Sequence, residues 1–197
     1  MIKNNLKNLA YLFYPKNIDN MLDKEYYLKT YEFKNLSNTL NEFTNYLESD
    51  FYTKIINEIK SIDQFKNITD TTVFNWEDRC ISLEIDFLQN STLNKICIHI
   101  SFLIPFYIIY VLENEIELNP YKWKTIPTHN KEKENTIFLE KIKTLSLIIE
   151  KHTSFNKFPM HLINEIIHDI NFQDIEMGEF NFFNAFFLNQ NIVVRYK

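Results

Sequence analysis

The sequence predicts one α+β domain: an N-terminal helical hairpin, an antiparallel β-meander, and C-terminal helices packed on one sheet face. Three observations carry that prediction. Apolar residues recur at helical spacing between Leu36 and Ile62, they alternate in two runs between Ile81 and Phe102, and helical spacing returns from Phe138 onward. The chain has 197 residues, 45% of them hydrophobic, with 18 Phe and 11 Tyr. That suits a single core over residues 1–197, with no composition shift to mark a boundary.

In YEFKNLSNTLNEFTNYLE, Leu36, Leu40, Phe43 and Leu47 form one apolar stripe, and the helix should begin near Asp23 or Lys24. Ser49 and Asp50 break the stripe and can cap a second helix, whose Phe51, Ile55, Ile59 and Ile62 again share a face. The two read as an antiparallel hairpin.

The period then changes to two. In RCISLEIDFL, Ile81, Leu83, Ile85 and Phe87 alternate with Ser82, Glu84 and Asp86. In KICIHISF, Ile96, Ile98, Ile100 and Phe102 alternate with Cys97, His99 and Ser101, and QNSTLN links the two runs as a turn. Pairing Phe87 with Ile96 sets Ile85 against Ile98 and Leu83 against Ile100. Glu84 then faces His99, and Asp86 faces Cys97. A slip of one residue would turn the apolar set into water. A shift of two preserves both faces, so the pattern leaves that register open.

The most apolar stretch, ISFLIPFYIIYVLENE, falls short of the roughly 20 apolar residues of a membrane span. Pro105 cannot donate to a ladder, so the stretch reads as two extended segments meeting at a proline. The tail of the third strand sets Glu113, Glu115 and Glu117 on one side, with Leu112, Ile116 and Leu118 on the other. NPYKWKTIPTHNKEK reads as a long polar loop punctuated by Pro120 and Pro127. A helix follows on Phe138, Ile142, Leu145 and Ile149, with Glu132 and Glu134 near its start and Lys151 and His152 near its end, as the helix dipole favours. Pro159 should open another helix over MHLINEIIHDI, its core face Leu162, Ile163, Ile166, Ile167 and Ile170. EFNFFNAFFLNQ favours a short buried helix around Phe183 and Phe187, and NIVVRY a closing strand.

Composition excludes several function classes. Gly178 is the only glycine, and Walker loops and dinucleotide fingerprints need glycine where backbone amides approach a phosphate. A net charge of −5 argues against nonspecific nucleic-acid binding and suits a basic partner. Cys80 and Cys97 make no disulfide framework and are compatible with a reducing cytoplasm, the expected location. The opening MIKNNLKNLAYLFYPK lacks a small-residue cleavage site and is a poor signal peptide.

No complete catalytic set emerges. His161 and His168 lie seven apart on one predicted helix face, about 10 Å along its axis, too far to share a metal alone. Glu165 and His168 make a single Glu-x-x-His, and a di-iron bundle uses that spacing twice. No metal or cofactor is expected. Glu84 opposite His99 would be an acid–base pair in a pocket, or an ordinary cross-strand pair on a wet face. Cys97 beside them makes a thiol or hydrolase site formally open, but Glu84 and Asp86 leave the face negative, whereas reactive thiols favour electropositive surroundings. The acids themselves are the stronger candidate. Glu84, Asp86, Glu113, Glu115 and Glu117, with His99, would form an acidic plate on adjoining strands, able to meet a basic protein. Self-association through the Phe-rich C-terminus is the further alternative.

Three patches carry a family resemblance: TYEFKNL (30–36), IHISFLIPFYIIY (98–110) and FQDIEMGEFNFFNAFFLNQ (172–190). In that order the chain resembles the small α+β immunity proteins of bacterial polymorphic-toxin systems. The resemblance implies a non-enzymatic inhibitor that binds a cognate toxin and blocks its active site or an adjacent surface. It touches about a fifth of the chain, by the span of those patches. Ile104 stands where a glycine is expected before the proline, and no toxin-contacting residue carries across.

Overall fold

The computed structural model describes residues 1–46, 50–73, 78–89, 92–114, 123–126 and 136–189. Strands β1 (Ile68–Asp70), β2 (Cys80–Gln89), β3 (Thr92–Ser101), β4 (Phe106–Asn114) and β5 (Trp123–Ile126) lie side by side in chain order, every neighbour antiparallel. A two-residue β6 (Asn156–Lys157) joins the start of β4 in parallel. The α+β class holds. β3 ends at Ser101 and β4 begins just after Pro105, so the apolar stretch is two strands meeting at the proline.

The register is the one shifted by two residues. Ile85 faces Ile96, Leu83 faces Ile98 and Ile81 faces Ile100. The faces are as expected, but Ser82, not Glu84, stands opposite His99, and Asp86 stands opposite Lys95. The reason lies in the link: the strands run on through Gln89 and Thr92, which leaves a tighter connection than QNSTLN suggested.

Both sheet faces are covered. On one face Ile81, Leu83, Ile85, Ile98, Ile109 and Val111 are buried against helices α4 (Asp50–Ser61) and α5 (Thr136–Thr153). Helix α4 packs along α5, where Lys151 and His152 of α5 both reach Glu58 of α4. On the other face Cys80, Cys97, Ile108 and Tyr110 lie beneath helix α1 (Ile2–Ala10) and the chain from Phe158 to Leu188. Helix α1 had no sequence assignment; its Leu6 and Ala10 are buried one turn apart.

The long N-terminal helix is split. A short α2 (Lys24–Tyr27) ends at Leu28, and α3 (Tyr31–Tyr46) restarts after Thr30, whose hydroxyl accepts from the Phe33 amide. Helix α3 spans both layers: Leu36 is in one core, Phe43 is in the other and stacks on Phe102 at 4.1 Å, and Leu40 touches both.

The C-terminal third departs most from expectation. MHLINEIIHDI holds a 3-10 turn at Met160–Leu162 and then irregular chain, not an α-helix. Leu162, Ile163, Ile167 and Ile170 are buried as expected, while Ile166 is 42% exposed. Alternate residues bond across to the Phe-rich segment: the amides of Phe182 and Phe183 donate to the carbonyls of Glu165 and Ile163, and the Ile167 amide donates to the Phe180 carbonyl. That pairing replaces a helix ladder. The short helix α6 (Phe182–Phe186) is fully buried. Its phenylalanines form core and so offer no dimer face. Segment 123–126, expected as loop, is β5. Glu115, Glu117, Glu132, Glu134 and NIVVRY lie outside the described residues.

Arg79 ties the layers together. It is fully buried, its Nε donates to the Tyr14 hydroxyl at 2.9 Å, and its guanidinium lies 4.6 Å from the Phe172 ring centre.

Candidate functional site

The residue types suited to catalysis meet inside the protein. His99 of β3 lies between Ser82 of β2 and Tyr110 of β4, with Nδ1 3.1 Å from the Ser82 hydroxyl and Nε2 2.9 Å from the Tyr110 hydroxyl. All three are buried, and the Phe183 ring stands edge-on to the imidazole at 6.0 Å. One arrangement of protons satisfies the whole line. Tyr110 donates to Nε2, Nδ1–H donates to Ser82, and Ser82 donates to Asp78 at a long 3.5 Å. Burial lowers the His99 pKa to about 3 and pushes the Cys97 thiol up to about 12, the latter helped by the Glu84 charge. A neutral imidazole bonded at both nitrogens cross-links three strands, and the buried thiol beside it stays protonated.

The Glu84–His99–Cys97 site is therefore not formed. Glu84 turns instead to Lys95, whose Nζ lies 2.5 Å from its carboxylate. Burial works against the lysine charge, but the hydrogen bond to Glu84 and the nearby carboxylates outweigh it and raise its pKa.

The acidic plate is corrected as well. Directly paired residues share a face, so Glu84, opposite Cys97, lies on the face of Tyr110. Glu113 is two residues beyond Val111 on β4 and takes the other face, opposite Asn94 on β3 and Lys124 on β5. Asp86 is exposed beside Lys95, His99 is buried, and Glu115 and Glu117 lie outside the described residues. The acids expected to act together are split between the two faces. Among the described residues no group of three His, Cys, Asp or Glu is placed to hold a metal ion. His161 and His168 are both exposed.

A cleft of about 520 Å³ opens elsewhere, between the turn at 19–22 and the loop at 171–177. Asp19 builds the first wall: its Oδ1 accepts from the amides of Met21 and Leu22 at 2.8 and 2.9 Å, and these bonds hold its pKa below the usual carboxylate value. The turn leaves Met21 73% and Leu22 86% exposed. The second wall is tight. Phe172 and Ile175 exchange backbone hydrogen bonds across Gln173, which has a left-handed φ of 55°, and Gly178 follows at φ 90°. Asn20 joins the walls, its side-chain amide donating to the Gln173 carbonyl at 2.9 Å and its backbone amide to Asn171 Oδ1 at 3.3 Å. Asp174, Glu176 and Met177 complete the lining, and none of its ten residues is basic.

Sequence reasoning passed over this cleft. The signal was present in NIDNMLDKEYY, where Met21 and Leu22 sit in a polar, Asp-capped turn with no periodic apolar partner.

Among the described residues no helix is long and apolar enough to cross a membrane. Comparison with protein-family models, with curated proteins and with solved structures finds no match to this chain.

Proposed function

We propose that this chain is a non-enzymatic, immunity-type inhibitor that binds and occludes a cognate bacterial toxin through a protein-binding surface that is acidic and partly apolar. One observation carries the reading: Ser82, His99 and Tyr110 are joined in a buried hydrogen-bonded line, while large apolar side chains stand outside. Tyr26, Tyr31, Met21 and Leu22 are each more than half exposed within a stretch of eleven residues. Tyrosine and methionine in a polar setting are the usual anchors of protein interfaces. The three patches behind the immunity-protein resemblance also take structural roles: Thr30 starts α3, Pro105 separates β3 from β4, and 172–188 forms cleft wall and core.

The test is co-expression with the product of the adjoining gene. A stoichiometric complex and rescue of growth are expected. If the two proteins neither co-purify nor restore growth, the reading falls.

A further inference from the structure

We infer that the cleft between residues 19–22 and 171–177 is the docking site for a basic segment of a partner protein, one that carries an aliphatic side chain next to lysine or arginine. As the toxin's landing place this deepens the inhibitor reading and rests on it. Exposed Met21 and Leu22 forgo the stabilisation that burial would give them, yet Asp19 and Asn20 hold the backbone that presents them with four hydrogen bonds. The opposite wall is just as fixed, since the Phe172–Ile175 pair and two left-handed residues set its course. A partner would therefore meet a surface already in shape, without the ordering penalty that weakens flexible sites.

Charge names the partner's chemistry. Asp19, Asp174 and Glu176 line the cleft with no lysine or arginine among the lining residues. Asp174 keeps its position through Asn189, whose amide donates to Oδ1 at 2.6 Å. Cations beside these carboxylates and an alkyl chain against Met21, Leu22 and Met177 complement both kinds of surface. A volume of about 520 Å³ is of ligand-pocket size and suits side chains of a docked segment. Apolar tips alone would also suit a lipid surface, but three carboxylates beside them repel anionic bilayers.

The experiment uses the full chain and a short fluorescein-labelled peptide alternating arginine and leucine. Glutamate–leucine and arginine–serine peptides of equal length serve as controls, with phosphatidylcholine–phosphatidylserine vesicles as a further probe. Anisotropy should show binding of the arginine–leucine peptide alone. Leu22→Asp and Glu176→Lys should each weaken it by about tenfold or more, and Asp86→Lys, on the sheet, should leave it unchanged. The substituted side chains are at the surface, and thermal melts matching the parent confirm folding; Met21→Ala is the milder second variant. Equal binding of the arginine–serine peptide, unchanged affinity in the cleft variants, binding to vesicles instead, or a dimer that loses mass in Leu22→Asp would each overturn the proposal. If the cleft variants lose the peptide but still neutralise the toxin, the cleft is not the toxin's site, while the inhibitor reading survives. If the parent binds the peptide but no toxin, the cleft stands and the inhibitor reading falls.

Discussion

The Nε2 atom of His99 lies 2.9 Å from the Tyr110 hydroxyl, across adjacent strands and out of reach of water. This placement makes folding compete with protonation. An unfolded imidazole takes up a proton near pH 6.5, whereas burial lowers the folded value to about 3. Between those limits the unfolded state binds the extra proton, so stability falls as pH falls through the window. At pH 5 the loss from this residue is about 2 kcal/mol. His99→Gln can still accept from Tyr110 and donate to Ser82, so it should flatten this dependence. It should also lower stability at pH 7 by about 1–3 kcal/mol. Urea unfolding of both proteins at pH 7 and pH 5 measures the difference. Parallel losses would show that His99 is not the group responsible.

Arg79 should be a sensitive position, because it is fully buried and touches both Tyr14 and Phe172. Its Nε bonds Tyr14, whose hydroxyl donates to the Ala185 carbonyl at 2.9 Å. Arg79→Ala removes the donor and the stack on Phe172, and is expected to destabilise by about 3 kcal/mol or more. Tyr14→Phe should cost about 1–2 kcal/mol. Because the two groups touch, the double variant should fall short of the sum by about 0.5–2 kcal/mol. Chemical denaturation of the four proteins tests the coupling, and strict additivity would show that the contact contributes nothing.

The sheet was legible because alternation is a local signal: Ile81 to Ile85 and Ile96 to Ile100 declare their buried face without reference to anything else. Its register was not, since a two-residue shift keeps every face and only the connection decides it. That ambiguity propagated to the site. In the observed register Glu84 meets Lys95, and His99 meets Ser82. The acidic plate failed on parity, because Glu113 follows Val111 by two and so leaves the face of Glu84. The segment 160–170 misled for another reason. Leu162, Ile163, Ile167 and Ile170 keep helical spacing, but the backbone makes only isolated short turns within the segment, while Ile163, Glu165 and Ile167 bond across to Phe183, Phe182 and Phe180, so tertiary pairing overrides local propensity.

The two cysteines should behave as inert core residues. Cys80 pairs with Ser101, and Cys97 pairs with Glu84, four residues further along β2, which separates the thiols by about 13 Å. A disulfide needs Cα atoms within about 7 Å. Burial raises both thiol pKa values, that of Cys97 to about 12. Alkylation by iodoacetamide should therefore be slow in the native protein and rapid in urea, with the native rate following global unfolding. Fast modification without denaturant would contradict this packing. So would a disulfide on mild oxidation.

The capping box of α6 should control the C-terminal core. Asn181 Oδ1 accepts from the Asn184 amide, and Asn184 Oδ1 accepts from the Asn181 amide, both at 3.0 Å. A helix of five residues has too few internal bonds to hold itself, so its form depends on these reciprocal bonds and on packing. Asn184 is fully buried, and its side-chain Nδ2 donates to the Leu188 carbonyl at 3.4 Å. Asn181→Ala removes one arm and should cost about 1 kcal/mol, while Asn181→Asp keeps the acceptor and should cost less. Asn184→Ala strands the Asn181 amide and opens space beside Phe183, so it should cost about 2 kcal/mol or more. Since Phe183 covers the His99 ring, the Asn184 variant should also speed hydrogen exchange at the His99 amide. If it lowers the melting temperature without that local change, the box steadies the C-terminal segment but does not seal the polar line beneath it.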